Sequence, residues 1–295
     1  MKQNTVATLA AMKARGEKIS QLTCYDYSTA RIMDEAGINT ILVGDSLGMT
    51  MQGYPDTLPV TVDEMIIYGR SVARACKNTF VVLDMPFMSY QVSPEQALTN
   101  AGRMMKEAMV DCVKLEGGKA VCPQIRAITS AGIPVCAHVG MTPQSHHTYG
   151  GFKVQGKGEE GARRVLEDAL AVQEAGAFAV VLECVPPKLA ALITKKLDII
   201  TIGIGAGSGC DGQVLVCQDM LGIGESGYLP KFVKTFAQLG EAMKQAFQTY
   251  DQQVKASLFP TAKESYVKSD CADEILARLD REYQPEEPLK ICSVL

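Results

Sequence analysis

Apolar residues recur in short blocks along this chain, with helical patterns filling the gaps between them. The blocks are ISQLTC (19–24), NTILVG (39–44), FVVLDM (80–85), CVKLEG (112–117), IPVCAH (133–138), FAVVLEC (178–184), IITIGIG (199–205) and QVLVC (213–217). Each is short for a helix and rich in β-branched residues, which reads as a strand. Runs such as FAVVLEC are apolar at successive positions, as in strands buried on both faces of a parallel sheet. The gaps carry helix signals. In SPEQ (93–96), Ser93 is a cap, Pro94 suits the first helical position and Gln96 reaches back, so a helix is expected from residue 94 to about 109. EAGI (35–38), SAGI (130–133) and EAGA (174–177) each place a glycine where a helix stops and a strand starts. Eight strands alternating with helices predict an α/β protein, a (β/α)8 TIM barrel with a C-terminal helical extension. An open doubly wound sheet is the alternative. The barrel is expected to fill residues 1–260, ending in a long helical region over 229–259. The more polar tail, 261–295, is expected to hold a short helix near 272–282.

The fourth block breaks the apolar pattern. In DCVKLEGGK (111–119), Lys114 and Glu116 interrupt an otherwise buried strand. A half-exposed strand alternates in this way. So does a buried strand that turns polar groups into a site. The other strand ends favour the second reading. Asp45 and Ser46 follow the second block, Asp84 ends the third, His138 the fifth and Glu183 the sixth. In a parallel barrel all strand C-termini meet at one rim, where such enzymes build their sites. Lys114 and Glu116 are two apart and share one face of their strand.

Asp45, Asp84 and Glu116 offer three hard oxygen donors without a soft partner, which suits Mg²⁺ and disfavours zinc. Such an ion chelates a 2-oxo acid and acts as a Lewis acid as an enolate forms. Lys114 adds a cationic donor at the keto oxygen. Glu183, among the apolar neighbours of VVLECV, is left as the base. GIGAGSGCDGQ (203–213) reads equally as an anion cradle, a tight loop around a substrate or a plain turn, and matches neither a P-loop nor a dinucleotide fingerprint. GMTPQSHHTYGGFKVQGKG (140–158) follows the fifth strand and reads as a mobile lid. His146 and His147 within it read as exposed loop residues and are not assigned to a metal.

Composition narrows the classes. Of 295 residues, 47% are hydrophobic and 21% charged, enough for a large core. The net charge of −4, without a clustered basic face, argues against a nucleic-acid partner. Ten scattered cysteines form no C-x-x-C pair, and read as small buried hydrophobes in a reducing cytoplasm. No run approaches the ~18–20 apolar residues of a membrane helix. The first residues lack the unbroken apolar segment of a secretory signal, while their basic character leaves a transit peptide open.

Longer motifs carry a resemblance. TCYDYSTA (23–30), LVGDSLGMTMQGYPDTLPVTVDEM (42–65), LDMPFMSYQVSPEQA (83–97), VKLEGG (113–118), VCAHVGMTPQS (135–145), GGFKVQGKG (150–158), LECVP (182–186) and IGIGAGSGCDGQVLV (202–216) occur in the order of the ketopantoate hydroxymethyltransferase family. Together they resemble it over about residues 18 to 260. That family is similar to the phosphoenolpyruvate mutase and isocitrate lyase barrels. The resemblance implies hydroxymethyl transfer from 5,10-methylenetetrahydrofolate to 3-methyl-2-oxobutanoate. The reaction runs through a Mg-stabilised enolate and gives 2-dehydropantoate (ketopantoate) in pantothenate biosynthesis. It implies Mg²⁺ at Asp45, Asp84 and Glu116, with Asp45 and Asp84 also lining the substrate. It places Ser46 and Lys114 against the 2-oxo acid, His138 beside it, and Glu183 as proton acceptor. It further implies a cytoplasmic, decameric homo-oligomer. The chain departs from the family in SHHTYGG (145–151), and its tail beyond about 262 is longer. Two other readings stand beside this one. A Mg²⁺-dependent C–C lyase or phosphonate mutase uses a related barrel, but the K-x-C-G-H-type motif of the lyases is missing here. A barrel that only binds a 2-oxo acid fits poorly with so many buried charges.

Overall fold

The computed structural model describes residues 2–151, 153–224, 229–266 and 272–283. Among the described residues eight strands form: β1 (Ile19–Thr23), β2 (Thr40–Val43), β3 (Phe80–Asp84), β4 (Cys112–Glu116), β5 (Val135–Gly140), β6 (Ala179–Glu183), β7 (Ile200–Ile204) and β8 (Gly212–Leu215). They follow one another in sequential order around a closed barrel. The closing pair is parallel, from Ile19 opposite Gly212 to Leu22 opposite Leu215, which excludes the open sheet. Each expected strand is present. β5 starts at Val135, two residues later than expected, because Pro134 has no N–H to give to a ladder. Its far end runs on to Gly140, which pairs with Glu183.

Local signals set the helices. Ser93 Oγ accepts the Gln96 N–H at 3.2 Å and opens the helix Pro94–Arg103. The Gln96 side chain accepts the Val92 N–H at 3.2 Å. The expected helix to residue 109 is interrupted: Met104–Ala108 widens into a π-helical turn, and Met109 takes a left-handed φ of 59°. Gly37, Gly132 and Gly176 have φ of 80°, 82° and 100°, so all three helix-to-strand joints use glycine's left-handed conformation.

The strand pleat divides the core in two. Val81, Leu83, Val113, Leu115, Val135, Ala137 and Val139 face the helices and are buried with them. Phe80, Val82, Cys112, Cys136, Ala179, Val181, Ile200 and Ile202 fill the barrel interior. Residues two apart share a face, so Asp84, Lys114, Glu116, His138 and Glu183 lie on these interior columns, at the C-terminal end. That placement answers the question set by Lys114 and Glu116. At the opposite end, the helix Val6–Ala14 closes the floor. Its Leu9 is buried among the interior residues. Its Lys13 Nζ donates to the Ile199 carbonyl and to Asp211, both at 2.8 Å.

By its packing the chain divides into Met1–Gly240 and Glu241–Leu295. The last helices among the described residues are Leu239–Lys255 and Asp273–Glu282. The expected helix over 229–259 therefore starts ten residues late. Residues 229–238 instead turn at Pro230, whose carbonyl accepts the Val233 N–H at 2.9 Å, and place Phe232 beside Gly205. Parts of the tail, 267–271 and 284–295, with Cys271 and Cys292, lie outside the described residues. The eight described cysteines are free thiols, all buried except half-buried Cys184. No described helix is long and apolar enough to cross a membrane.

Candidate active site

The expected site residues come together at the C-terminal mouth. The β3–β4 register sets Asp84 beside Lys114, and the β4–β5 register sets Glu116 beside His138. Lys114 Nζ donates to Asp84 Oδ1, with both side chains 4% exposed. The other Asp84 oxygen accepts the Asp45 N–H at 3.2 Å, which ties the loop after β2 to β3. His138 lies between two carboxylates. Its Nδ1 is 3.3 Å from Glu116 Oε1 and its Nε2 is 3.3 Å from Glu183 Oε2. Neither contact is aligned as a hydrogen bond. Ser46 is half-buried, with its hydroxyl 2.8 Å from the Tyr25 hydroxyl.

Charge and burial act together here. Burial pushes the Asp45 carboxyl well above its ordinary range, and the nearby Asp84 and Glu116 carboxylates add to the shift. Burial also raises Asp84, against the pull of Lys114. Glu116 is held below the usual range, because His138 and Lys114 outweigh the effect of burial. Burial and Lys114 push His138 down, but Glu116 and Glu183 outweigh them and raise it to about 9. Lys114 is also raised, since three carboxylates overcome its desolvation. The mouth is a buried, acid-rich cluster with an ammonium and an imidazole inside it.

Two residues in this network escaped the sequence reading. Gln144, in the loop after β5, donates through Nε2 to Asp45 Oδ2 at 2.8 Å and to the Met85 carbonyl at 3.0 Å. Its own N–H donates to Glu116 Oε2 at 3.0 Å. Tyr90, in the loop after β3, donates its hydroxyl to Gln144 Oε1 at 2.6 Å, and that hydroxyl accepts the Glu116 N–H at 3.1 Å. Gln144 thus clamps two of the acids, and Tyr90 orients Gln144. Both sit inside segments that carry the family resemblance, but neither is charged, so a search for titratable groups passes over them. GIGAGSGCDGQ (203–213) packs as a tight connection between β7 and β8. The Cα atoms of Gly207 and Gly209 face Pro187 and Ala191 so closely that no side chain fits.

Glu183 is the most open of the group, with its side chain 14% exposed. Its backbone is fixed from both sides. The Met141 N–H donates to its carbonyl at 2.9 Å, and the next residue, Cys184, has a left-handed φ of 49°. Gly140 makes this approach feasible: its φ is 96°, and a Cβ there would lie 2.4 Å from the Glu183 carbonyl oxygen. Gly140→Ala is therefore expected to displace Glu183. A shift near 1 Å at a reacting group costs about 10²-fold in rate. Steady-state kinetics, with circular dichroism to confirm folding, checks this; unchanged kcat/KM would show that the Glu183 position is not limiting.

Comparisons with known proteins agree with this geometry. Solved structures that share the fold include a phosphonopyruvate hydrolase, with a TM-score of 0.60 at 12% identity over 96% of each chain. They also include a 2,3-dimethylmalate lyase of the PEP mutase/isocitrate lyase superfamily, with a TM-score of 0.56 at 17% identity over 94% of this chain and 99% of the other. At such identity the likeness is one of fold. Sequence relatives reach much further. A 3-methyl-2-oxobutanoate hydroxymethyltransferase from Clostridium novyi (strain NT) is 59% identical over 91% of this chain and 97% of its own length. One from Enterococcus faecalis (strain ATCC 700802 / V583) is 58% identical over the same shares. One from Geotalea daltonii (strain DSM 22248 / JCM 15807 / FRC-32) is 55% identical over 90% of this chain and 99% of its own. The family model described as ketopantoate hydroxymethyltransferase matches residues 3–262. With nearly the whole barrel matched at more than half identity, the chain belongs to the ketopantoate hydroxymethyltransferase family and is a hydroxymethyltransferase.

Proposed function

We propose that the chain transfers a hydroxymethyl group from 5,10-methylenetetrahydrofolate to 3-methyl-2-oxobutanoate, giving 2-dehydropantoate for pantothenate biosynthesis. The observation that carries this reading is the gathering of Asp45, Asp84, Lys114, Glu116, His138 and Glu183 at one mouth, in a chain of this family. The donor set suits a metal by its chemistry, although Asp45, Asp84 and Glu116 do not bring one oxygen each within 4.8 Å of the others here, with Asp84 Oδ1 held by Lys114. Asp45 is pushed up by burial and by two neighbouring carboxylates, a build-up of negative charge that a divalent cation would relieve. All-oxygen donors suit Mg²⁺. Asp45, Asp84 and Glu116 would hold the ion, which when bound supplies a Lewis acid for the keto oxygen of the substrate.

The residues around it have separate tasks. Lys114 sets a positive charge where the keto oxygen becomes negative, and Asp84 holds it there. Ser46, itself anchored by Tyr25, hydrogen-bonds the substrate carboxylate. His138, held between Glu116 and Glu183, lies beside the 2-oxo acid. Glu183 accepts the C3 proton. The C3 carbon then bonds to the methylene carbon of the folate, whose bonds to nitrogen break, and one water supplies the new hydroxyl. Assembly as a cytoplasmic decamer, with the barrel ending near residue 260, completes this reading.

The direct test supplies 3-methyl-2-oxobutanoate, Mg²⁺ and 5,10-methylenetetrahydrofolate together and follows 2-dehydropantoate by mass spectrometry. Product is expected only when all three are present. Absence of product from folded enzyme under these conditions would end the proposal.

A further inference from the structure

The two consecutive histidines stand outside the site described above. Asp56 lies in the loop after β2, and His146 and His147 begin the helical turn His146–Tyr149 after β5. One Asp56 oxygen and one ring nitrogen from each histidine lie within 4.8 Å of one another. The imidazoles stand side by side, with centroids 4.0 Å apart and planes tilted by 37°.

Two further contacts orient the donors. His146 Nδ1 is 3.0 Å from the Pro143 carbonyl oxygen. A carbonyl only accepts, so the neutral ring carries its proton on Nδ1 and its lone pair on Nε2. That Nε2 faces Asp56 Oδ2 at 3.7 Å. Asp56 Oδ1 accepts the Leu58 N–H at 2.9 Å, which turns Oδ2 toward the histidines. A histidine held through its other nitrogen by a backbone carbonyl, and a carboxylate held by its own hydrogen bond, are how proteins fix metal ligands. His147 is exposed and the other two are half-buried, so an ion reaches the cluster from solvent.

We propose that Asp56, His146 and His147 form a second metal site, for a zinc-class divalent ion, fastening the loop after β5 to the loop after β2. Two imidazoles and one carboxylate suit zinc, cobalt or nickel, whereas Mg²⁺ prefers oxygen donors alone. The site is thus chemically distinct from the three acids at the mouth. An ion there acts on the same two loops that Gln144 joins through Asp45, and restrains Gln144 two residues before His146.

Calorimetric titration of the Mg²⁺-saturated enzyme with Zn²⁺ tests the proposal. One Zn²⁺ that excess Mg²⁺ does not displace is expected. His147→Asn and Asp56→Asn should each remove it, weakening its binding by more than about 100-fold, beyond the loss of an outer hydrogen-bond partner. Thermal melts without Zn²⁺ check that both variants fold. The chain has three histidines, which makes a second readout clean. With Co²⁺ in place of Zn²⁺, the ring-proton resonances of His146 and His147 should shift strongly and both shifts should vanish in the Asp56→Asn variant. No Zn²⁺ binding, Zn²⁺ binding that survives both substitutions, or a Co²⁺ shift at His138 in their place overturns the proposal.

Discussion

Glu183→Gln is expected to abolish exchange of the C3 hydrogen of 3-methyl-2-oxobutanoate with solvent while leaving the fold and substrate binding in place. The substitution keeps the size of the side chain and removes its capacity to accept a proton. A positioned base contributes about 10²- to 10⁴-fold to rate, and turnover should fall by that amount. Little repacking should follow, because Glu183 is the most open member of the cluster and its backbone is fixed by Met141 and Cys184. Deuterium uptake in D₂O, read by proton NMR, measures the step without the folate. Exchange at the unsubstituted rate would remove Glu183 from the role of base.

Asp84→Asn should damage both stability and metal response. It takes the carboxylate from Lys114, an ammonium only 4% exposed. Breaking a buried pair from one side costs roughly 3–5 kcal/mol, because the surviving charge stays buried. Asp45 and Glu116 still face Lys114, so the loss should fall at the lower end. Thermal unfolding reads this directly. The double variant Asp84→Asn with Lys114→Met removes both charges and should recover much of the melting temperature without recovering turnover. That combination separates the structural task of the pair from its chemical one. In the single variant the Mg²⁺ dependence of turnover should also move to higher concentration. An unchanged melting temperature together with an unchanged Mg²⁺ titration would contradict both assignments of Asp84.

Much of this was legible in the sequence, for identifiable reasons. The eight strands are buried on both faces and so are written as dense apolar runs, which local pattern reveals. The polar residues at their ends stood out against that background, and the parallel topology then placed Asp84, Lys114, Glu116, His138 and Glu183 at one mouth. Gln144 and Tyr90 were not legible in the same way. Their partners lie 99 and 54 residues away, and an uncharged side chain in a loop has no periodicity to betray it. The late start of the helix Leu239–Lys255 was hidden for a related reason. Phe232 is drawn to Gly205, and tertiary packing of that kind overrides a helical pattern. The sequence reads both histidines as exposed, whereas His146 is half-buried, because its partner Asp56 comes from a different loop some ninety positions earlier.

The floor of the barrel sets an order on how the molecule is made. Helix Val6–Ala14 precedes all eight strands in the chain, yet its Lys13 binds Ile199 and Asp211, 186 and 198 positions downstream. The Lys13 contacts of this helix therefore wait until the segments that carry Ile199 and Asp211 are in place. Contacts between residues so far apart in sequence form slowly, so the floor of the barrel closes late in folding, after the strands it covers are in place.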